Sequence, residues 1–283
     1  MKIIECPRDA MQGIAAFIPT GDKVRYLNKL LSVGFDTLDF GSFVSPKAIP
    51  QMRDTKDVLS SLDIGESKTK LLAIVANVRG AEEAALFDEI RFLGFPLSIS
   101  ETFQQRNTNK SISEALNALE QIKEVCLKKG KKLVTYISMG FGNPYGDPYD
   151  AAMLGQFTGI LMALGADVVS LADTVGAATP EEVHNAVKSV LSAYPEAEIG
   201  VHLHAAPTDA RAKLKAAYDA GCRRFDGALK GFGGCPMAKI ELVGNIATEE
   251  IIDVAVSAGE ILVIDDGALA EALNLAAEIF PKR

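Results

Sequence analysis

One punctuation mark recurs along this 283-residue chain. A helix-like stretch ends near a glycine, and an apolar, strand-like run starts within a few residues. It occurs around Gly34, Gly94, Gly130, Gly165 and Gly221. Glycine tolerates the left-handed backbone that closes a helix. Gly94, Gly130 and Gly165 are spaced by 36 and 35 residues, and one strand, one helix and two loops need roughly 30–35 residues. A chain with this spacing is built from repeated β/α units, which restricts it to a parallel sheet, open or closed.

Counting the strand-like runs decides between the two. Eight are expected, near 2–6, 35–41, 70–76, 96–100, 132–139, 167–171, 197–203 and 223–226. Helical patterns follow them, for example over 111–129, 148–164, 180–193 and 208–220. Ser111 with Glu114 reads as a capping box, and Thr179-Pro180 as an N-cap followed by a first-turn proline. Eight units in a chain of this length predict an α/β fold, a (β/α)8 TIM barrel, with extra C-terminal helices after Gly244. An open doubly wound sheet is disfavoured, because no GxGxxG follows the first strand. No linker interrupts the pattern, so residues 1–283 are expected to form a single catalytic domain.

Composition narrows the function. A formal net charge of −8 without a basic stripe argues against nucleic acid and anionic membranes as partners. No apolar run approaches the ~18 residues of a membrane span, and the N-terminus lacks the apolar core of a signal peptide. Cys6, Cys126, Cys222 and Cys235 show no paired spacing, which suits free thiols in a reducing, cytoplasmic setting.

Chemistry in such barrels sits at the C-terminal ends of the strands, and here those ends are polar. Strand 1 ends at Glu5, Cys6, Arg8 and Asp9; strand 2 at Asp39 and Ser42; strand 4 at Ser98, Ser100 and Glu101; strand 6 at Ser170 and Asp173; strand 7 at His202 and His204. In a strand, residues i and i+2 face the same side, so both imidazoles point one way. Two imidazoles and a carboxylate, with Asp9 the natural third ligand, make a site for Mg2+, Mn2+ or Zn2+. Arg8 is a fixed cation suited to an enolate or carboxylate oxygen. Gly231, Gly233 and Gly234 before Cys235 make a hinged loop able to deliver a thiol. His184, within helix 180–193, is expected to be an exposed helical residue.

Taken in chain order, several segments resemble the hydroxymethylglutaryl-CoA lyase family of metal-dependent barrels. They are residues 7–12, 42–52, 98–103 with Asn107 and Asn109, 172–176 with Thr179 and Pro180, 202–204, 231–236 and 244–249. The Ser42–Lys47 run and the Gly-Gly-Cys-Pro loop are the specific ones. The resemblance implies that Asp9, His202, His204 and Asn245 hold a divalent cation, Mg2+ or Mn2+ before Zn2+. It implies that Arg8 stabilises the enolate, that Cys235 is a mobile-loop catalytic thiol and that Asp39 stands where the family has Glu. Asp173 is implied as an acid/base or substrate-orienting carboxylate. The implied reaction cleaves hydroxymethylglutaryl-CoA to acetyl-CoA and acetoacetate, in a homo-oligomer, expected to be a dimer. Four departures from the family bear on the acyl-CoA pocket: Ala10 in place of Gly, Ala205-Ala206-Pro207 in place of Asp-Thr after the second histidine, Lys230 in place of a small residue, and one extra residue between Cys235 and Asn245. They leave a related aldolase or Claisen-type synthase, acting on a 2-oxo acid or another 3-hydroxyacyl-CoA, as the alternative, and a non-catalytic metal-binding paralogue behind both.

Overall fold

A computed structural model describes residues 1–234 and 243–280 of the chain. Eight parallel strands close into a barrel: β1 (Lys2–Glu5), β2 (Thr37–Ser42), β3 (Lys70–Ile74), β4 (Ile90–Ser98), β5 (Lys132–Ser138), β6 (Val168–Asp173), β7 (Glu198–Ala205) and β8 (Arg224–Gly227). Neighbours follow chain order, and the β1–β8 pairing seals the ring. A short β9 (Gly244–Asn245) adds antiparallel to β7, setting Asn245 opposite His204. The C-terminal helices expected after Gly244 are Thr248–Ser257 and Asp266–Ile279.

Strand alternation splits the apolar residues into two sets. Leu72, Ile74, Phe92, Val134, Tyr136 and Val168 form one buried cluster in the lumen. Leu71, Ala73, Leu93, Leu133 and Val169 belong to the larger core beneath the helices. The helix boundaries follow their caps. Ser111 and Glu114 exchange the two hydrogen bonds of a capping box at the start of Ile112–Lys129, and Thr179 and Glu182 do the same at Pro180–Ala193. Gly34, Gly130, Gly165 and Gly221 all have positive φ, as helix-closing glycines should.

Gly94 is the exception. The expected helix end is the middle of β4, and the strand spans 90–98 rather than 96–100. A Cβ on Gly94 would meet Ile74 Cδ1 at 2.6 Å, Leu72 Cδ2 at 3.1 Å and the Tyr136 ring at 3.4 Å. The glycine is there because lumen side chains from two neighbouring strands pack over its backbone.

Candidate active site

The rim is built from β1 and β7 first. β7 turns His202 and His204 to the same side, with their Nε2 atoms 3.2 Å apart. His204 Nδ1 lies 3.1 Å from the Thr174 carbonyl oxygen, and His202 Nδ1 lies 3.3 Å from Asp226 Oδ2. With both Nδ1 atoms donating, the two Nε2 lone pairs face one point. Burial, and then the charge of His202, lowers His204 to a pKa of about 4, so its lone pair is free at neutral pH. For His202, burial opposes the charged form, but the Asp226 carboxylate outweighs it and raises the pKa.

Pro7 opens the helix Pro7–Gln12 directly after β1, and this single turn places Arg8, Asp9 and Gln12 together. A carboxylate oxygen of Asp9 and the two histidines offer ligand atoms all within 4.8 Å of one another. Burial would raise Asp9, but Arg8, His202, His204 and the Asn245 amide hold it at about 2. Asn245 Nδ2 donates to Asp9 Oδ2 at 2.8 Å and to the Phe232 carbonyl at 2.9 Å. An ionised carboxylate, two neutral-capable imidazoles and an amide form a donor set that fits a borderline divalent cation.

Arg8 is almost fully committed to carboxylates. Its Nε and Nη2 donate to Asp39, the latter at 2.6 Å, and its Nη1 donates to Asp9 at 2.9 Å and Gln12 at 2.8 Å. Burial works against the guanidinium charge, yet Asp39 and Asp9 override it and drive its pKa upward. Asp39 itself is pushed up to about 6 by burial, with Arg8 pulling the other way. Asp39 therefore orients Arg8 and does not itself line the cavity. That cavity, about 490 Å³, is lined by Arg8, Asp9 and the histidines together with Val44, Ile49, Phe103, Arg106 and Lys110. A larger recess at the other end of the barrel, about 1020 Å³, is lined by Met1, Asp36, Lys70 and Val263 and holds none of these ligands.

Asp173 stands elsewhere. Its carboxylate accepts from Lys213 Nζ at 2.9 Å and from the backbone N–H groups of Ala177 and Ala178. Lys213 also donates to the carbonyls of Gly176 and His204. β6 turns Asp173 toward the helix Pro207–Asp219, outside the cavity, so its geometry is that of a strut behind His204 rather than of a group facing substrate. His184 is half-buried rather than exposed, with Nδ1 3.2 Å from the Ala216 carbonyl, because its helix packs against Pro207–Asp219. Cys235 lies outside the described residues. The glycines before it do not: Gly233 has φ of 91°, and a Cβ there would lie 2.8 Å from Ala10 Cα, the Asp9 carbonyl oxygen and Asn245 Nδ2. Only glycine lets the backbone pass this close to the ligand cluster.

The residues that the sequence did not single out are Gln12, Lys213 and Asp226. Gln12 and Lys213 lie on helices, where nothing in the local pattern announces a partner from another element. Asp226 carried a usable signal, because it is the polar C-terminal end of β8, the rim rule applied to the other strands.

The family model described as HMGL-like matches residues 2–276. This chain belongs to the HMGL-like family. A hydroxymethylglutaryl-CoA lyase of Bacillus subtilis is 36% identical over 246 residues, 87% of this chain and 81% of the relative. A 3-hydroxy-3-isohexenylglutaryl-CoA/hydroxymethylglutaryl-CoA lyase of Pseudomonas aeruginosa is 32% identical, over 89% of this chain and 83% of the relative. The solved HMG-CoA lyase of Acinetobacter baumannii, in complex with coenzyme A and 3-methylmalate, superposes on this HMGL-like chain with a TM-score of 0.90 at 31% identity, covering 99% of this chain and 91% of that one.

Proposed function

We propose that this chain is a divalent-metal-dependent carbon–carbon lyase that cleaves 3-hydroxy-3-methylglutaryl-CoA to acetyl-CoA and acetoacetate. The observation that carries this is the meeting of Asp9, His202 and His204 within 4.8 Å, with Asn245 on Asp9 and Arg8 beside them, at the cavity of an HMGL-like barrel. Asp9, His202, His204 and Asn245 would hold the cation, Mg2+ or Mn2+ given the mixed oxygen and nitrogen donors. A divalent ion held there would supply Lewis acidity that makes the substrate's tertiary hydroxyl easier to deprotonate.

The chain's own groups do the rest. The 3-hydroxyl proton passes to a base lining the cavity, a part open to His202 or the Asp9 carboxylate; the C2–C3 bond then breaks, which leaves acetoacetate and the enolate of acetyl-CoA. Arg8 is aimed by Asp39 and Gln12 so that its charge meets the enolate oxygen as it forms. A proton must then return to C2, and Cys235, at the end of the glycine run, is the donor that the loop's sequence supports. The apolar wall of Val44, Ile49 and Phe103 keeps water from competing for the enolate. Arg106 and Lys110 on the cavity lining suit an acyl-CoA, whose phosphates are anionic. Asp173, held by Lys213, supports the position of His204. We also propose that residues 1–283 act as one catalytic domain, in the cytoplasm and as a homodimer; among the described residues, no helix is long and apolar enough to cross a membrane.

Product analysis by mass spectrometry tests this directly, with hydroxymethylglutaryl-CoA, a 3-alkyl homologue of longer chain and 4-hydroxy-2-oxo acids offered side by side. Acetyl-CoA and acetoacetate from the first substrate are expected. Turnover of only the oxo acids would move the chain to the aldolases, the reading that Ala205-Ala206-Pro207 after His204 leaves open. These residues leave the helix Pro207–Asp219 without a side-chain N-cap.

A further inference from the structure

Glu5 is a fully buried carboxyl that the chemistry above does not use. It ends β1, opposite Gly227 of β8. Its Oε1 accepts the Leu229 N–H at 2.9 Å, and its Oε2 accepts the Thr248 hydroxyl at 2.5 Å. Leu229 and Thr248 stand on either side of the segment that contains the glycine run and Asn245. The two sides also touch through backbone: Ala228 N–H donates to the Ile246 carbonyl at 3.0 Å, and Thr248 N–H donates to the Ala228 carbonyl at 3.2 Å. The approach needs Gly227, where a Cβ would meet Ile251 Cδ1 at 2.6 Å and Thr248 Oγ1 at 3.0 Å. Asn245, three residues before Thr248, ends on Asp9, and Asp9 lies four residues after Glu5, in the helix that follows β1.

We propose that Glu5 is a positioning residue: one buried carboxyl joins β1 to both sides of the segment between Leu229 and Thr248, and thereby holds Asn245 against Asp9. This rests on the reading of Asn245 as a metal ligand.

Burial sets the charge state of Glu5. The titratable groups facing it are the Glu249 carboxyl on the helix Thr248–Ser257, the Tyr26 phenol on the helix Thr20–Val33 and the neighbouring Cys6 thiol. No cation pairs with it among the described residues. Burial raises its pKa to about 8, with the Thr248 and Leu229 hydrogen bonds opposing and Glu249 adding to the rise. The clamp therefore works as a neutral carboxyl near neutral pH. An unfolded chain releases this proton near the ordinary value of 4.5. The stability that the neutral group contributes is therefore complete below about 4.5, declines as pH rises and is lost above about 8.

The experiment compares the full-length wild type with Glu5→Gln, Glu5→Ala and Thr248→Val. Mn2+ binding by the metal-free protein is followed by electron paramagnetic resonance, and melting temperature is followed against pH in EDTA. Glutamine is neutral, keeps the oxygen that accepts from Leu229 and sets its amide N–H against the Thr248 hydroxyl, which can rotate to accept, so Glu5→Gln should bind Mn2+ within about threefold of wild type. Glu5→Ala should bind at least about tenfold more weakly, in the range seen when a ligand's support is removed. Should Glu5→Ala fail to fold, Thr248→Val removes one arm only and should also weaken Mn2+ binding. Wild-type melting should fall relative to Glu5→Gln between pH 4.5 and 8 and run parallel to it above. Mn2+ binding in both Glu5→Ala and Thr248→Val equal to wild type would overturn the positioning role. Parallel melting curves across the whole range would overturn the neutral clamp. A wild type that binds no Mn2+ would instead sink the metal-site reading, while the melting comparison still reports on Glu5.

Discussion

Arg8 has five N–H donors, and four of them are engaged: one on Nε and one on Nη2 by Asp39, and both on Nη1 by Asp9 and Gln12. One Nη2–H is left for the substrate. Lysine would keep the charge, but three donors on a point-like ammonium cannot satisfy Asp39, Asp9 and Gln12 and still reach an enolate. Arg8→Lys is therefore expected to lower kcat by about a hundredfold, the scale of losing one aimed electrostatic donor, with a much smaller rise in KM. Steady-state kinetics on hydroxymethylglutaryl-CoA read the split, and a loss confined to KM would make Arg8 a plain substrate anchor. Cys235→Ala removes the proposed proton donor and should cut turnover by about two orders of magnitude or more, with bound metal unchanged. Near-wild-type turnover would take the thiol out of the mechanism and favour the aldolase reading.

At the scale of elements, the pairing that matters most is between β6, β7 and the helix Pro207–Asp219. A buried lysine, Lys213, joins them through Asp173 and the carbonyls of Gly176 and His204. Removing one member of such a pair leaves the other buried and uncompensated, which typically costs about 3–5 kcal/mol. Asp173→Ala should therefore melt well below wild type. Its remaining activity, measured below the new midpoint, should show weakened metal binding before any change in the pH dependence of kcat. A variant with wild-type stability and a lost kinetic pKa would restore Asp173 to acid/base chemistry. The resemblance alone implied that chemical role; the strand's alternation turned the side chain to the helix layer instead.

For the whole molecule, the barrel closes through strand pairing and two apolar layers, and the ligand cluster sits at one end of it. Most of the apolar burial that stabilises the fold thus lies away from the candidate ligand cluster. Dialysis against EDTA is expected to abolish turnover and leave the far-ultraviolet circular dichroism unchanged, with Mn2+ or Mg2+ restoring activity. Unfolding on metal removal would mean that the cation also ties the structure together, as in small metal-folded domains. Activity that survives EDTA undiminished would remove the cation from the reaction.

Much of this was legible in the chain itself. The glycine-marked repeat determined a parallel β/α architecture, since left-handed helix ends and apolar runs are local properties. The two-residue spacing of His202 and His204 determined that both imidazoles share a face. Polar strand ends pointed to the rim. Local pattern failed at Gly94, whose absent side chain serves packing from Ile74 and Leu72 rather than a helix end. It also failed wherever a residue's meaning lies in a distant partner. Asp39 turning Arg8, Asp226 behind His202, Lys213 under Asp173, and Glu5 bonded to Leu229 and Thr248 all join positions tens to hundreds of residues apart. Burial raises the cost of each unpaired group, so the partner decides what the residue does, and only the closed barrel brings the partners together.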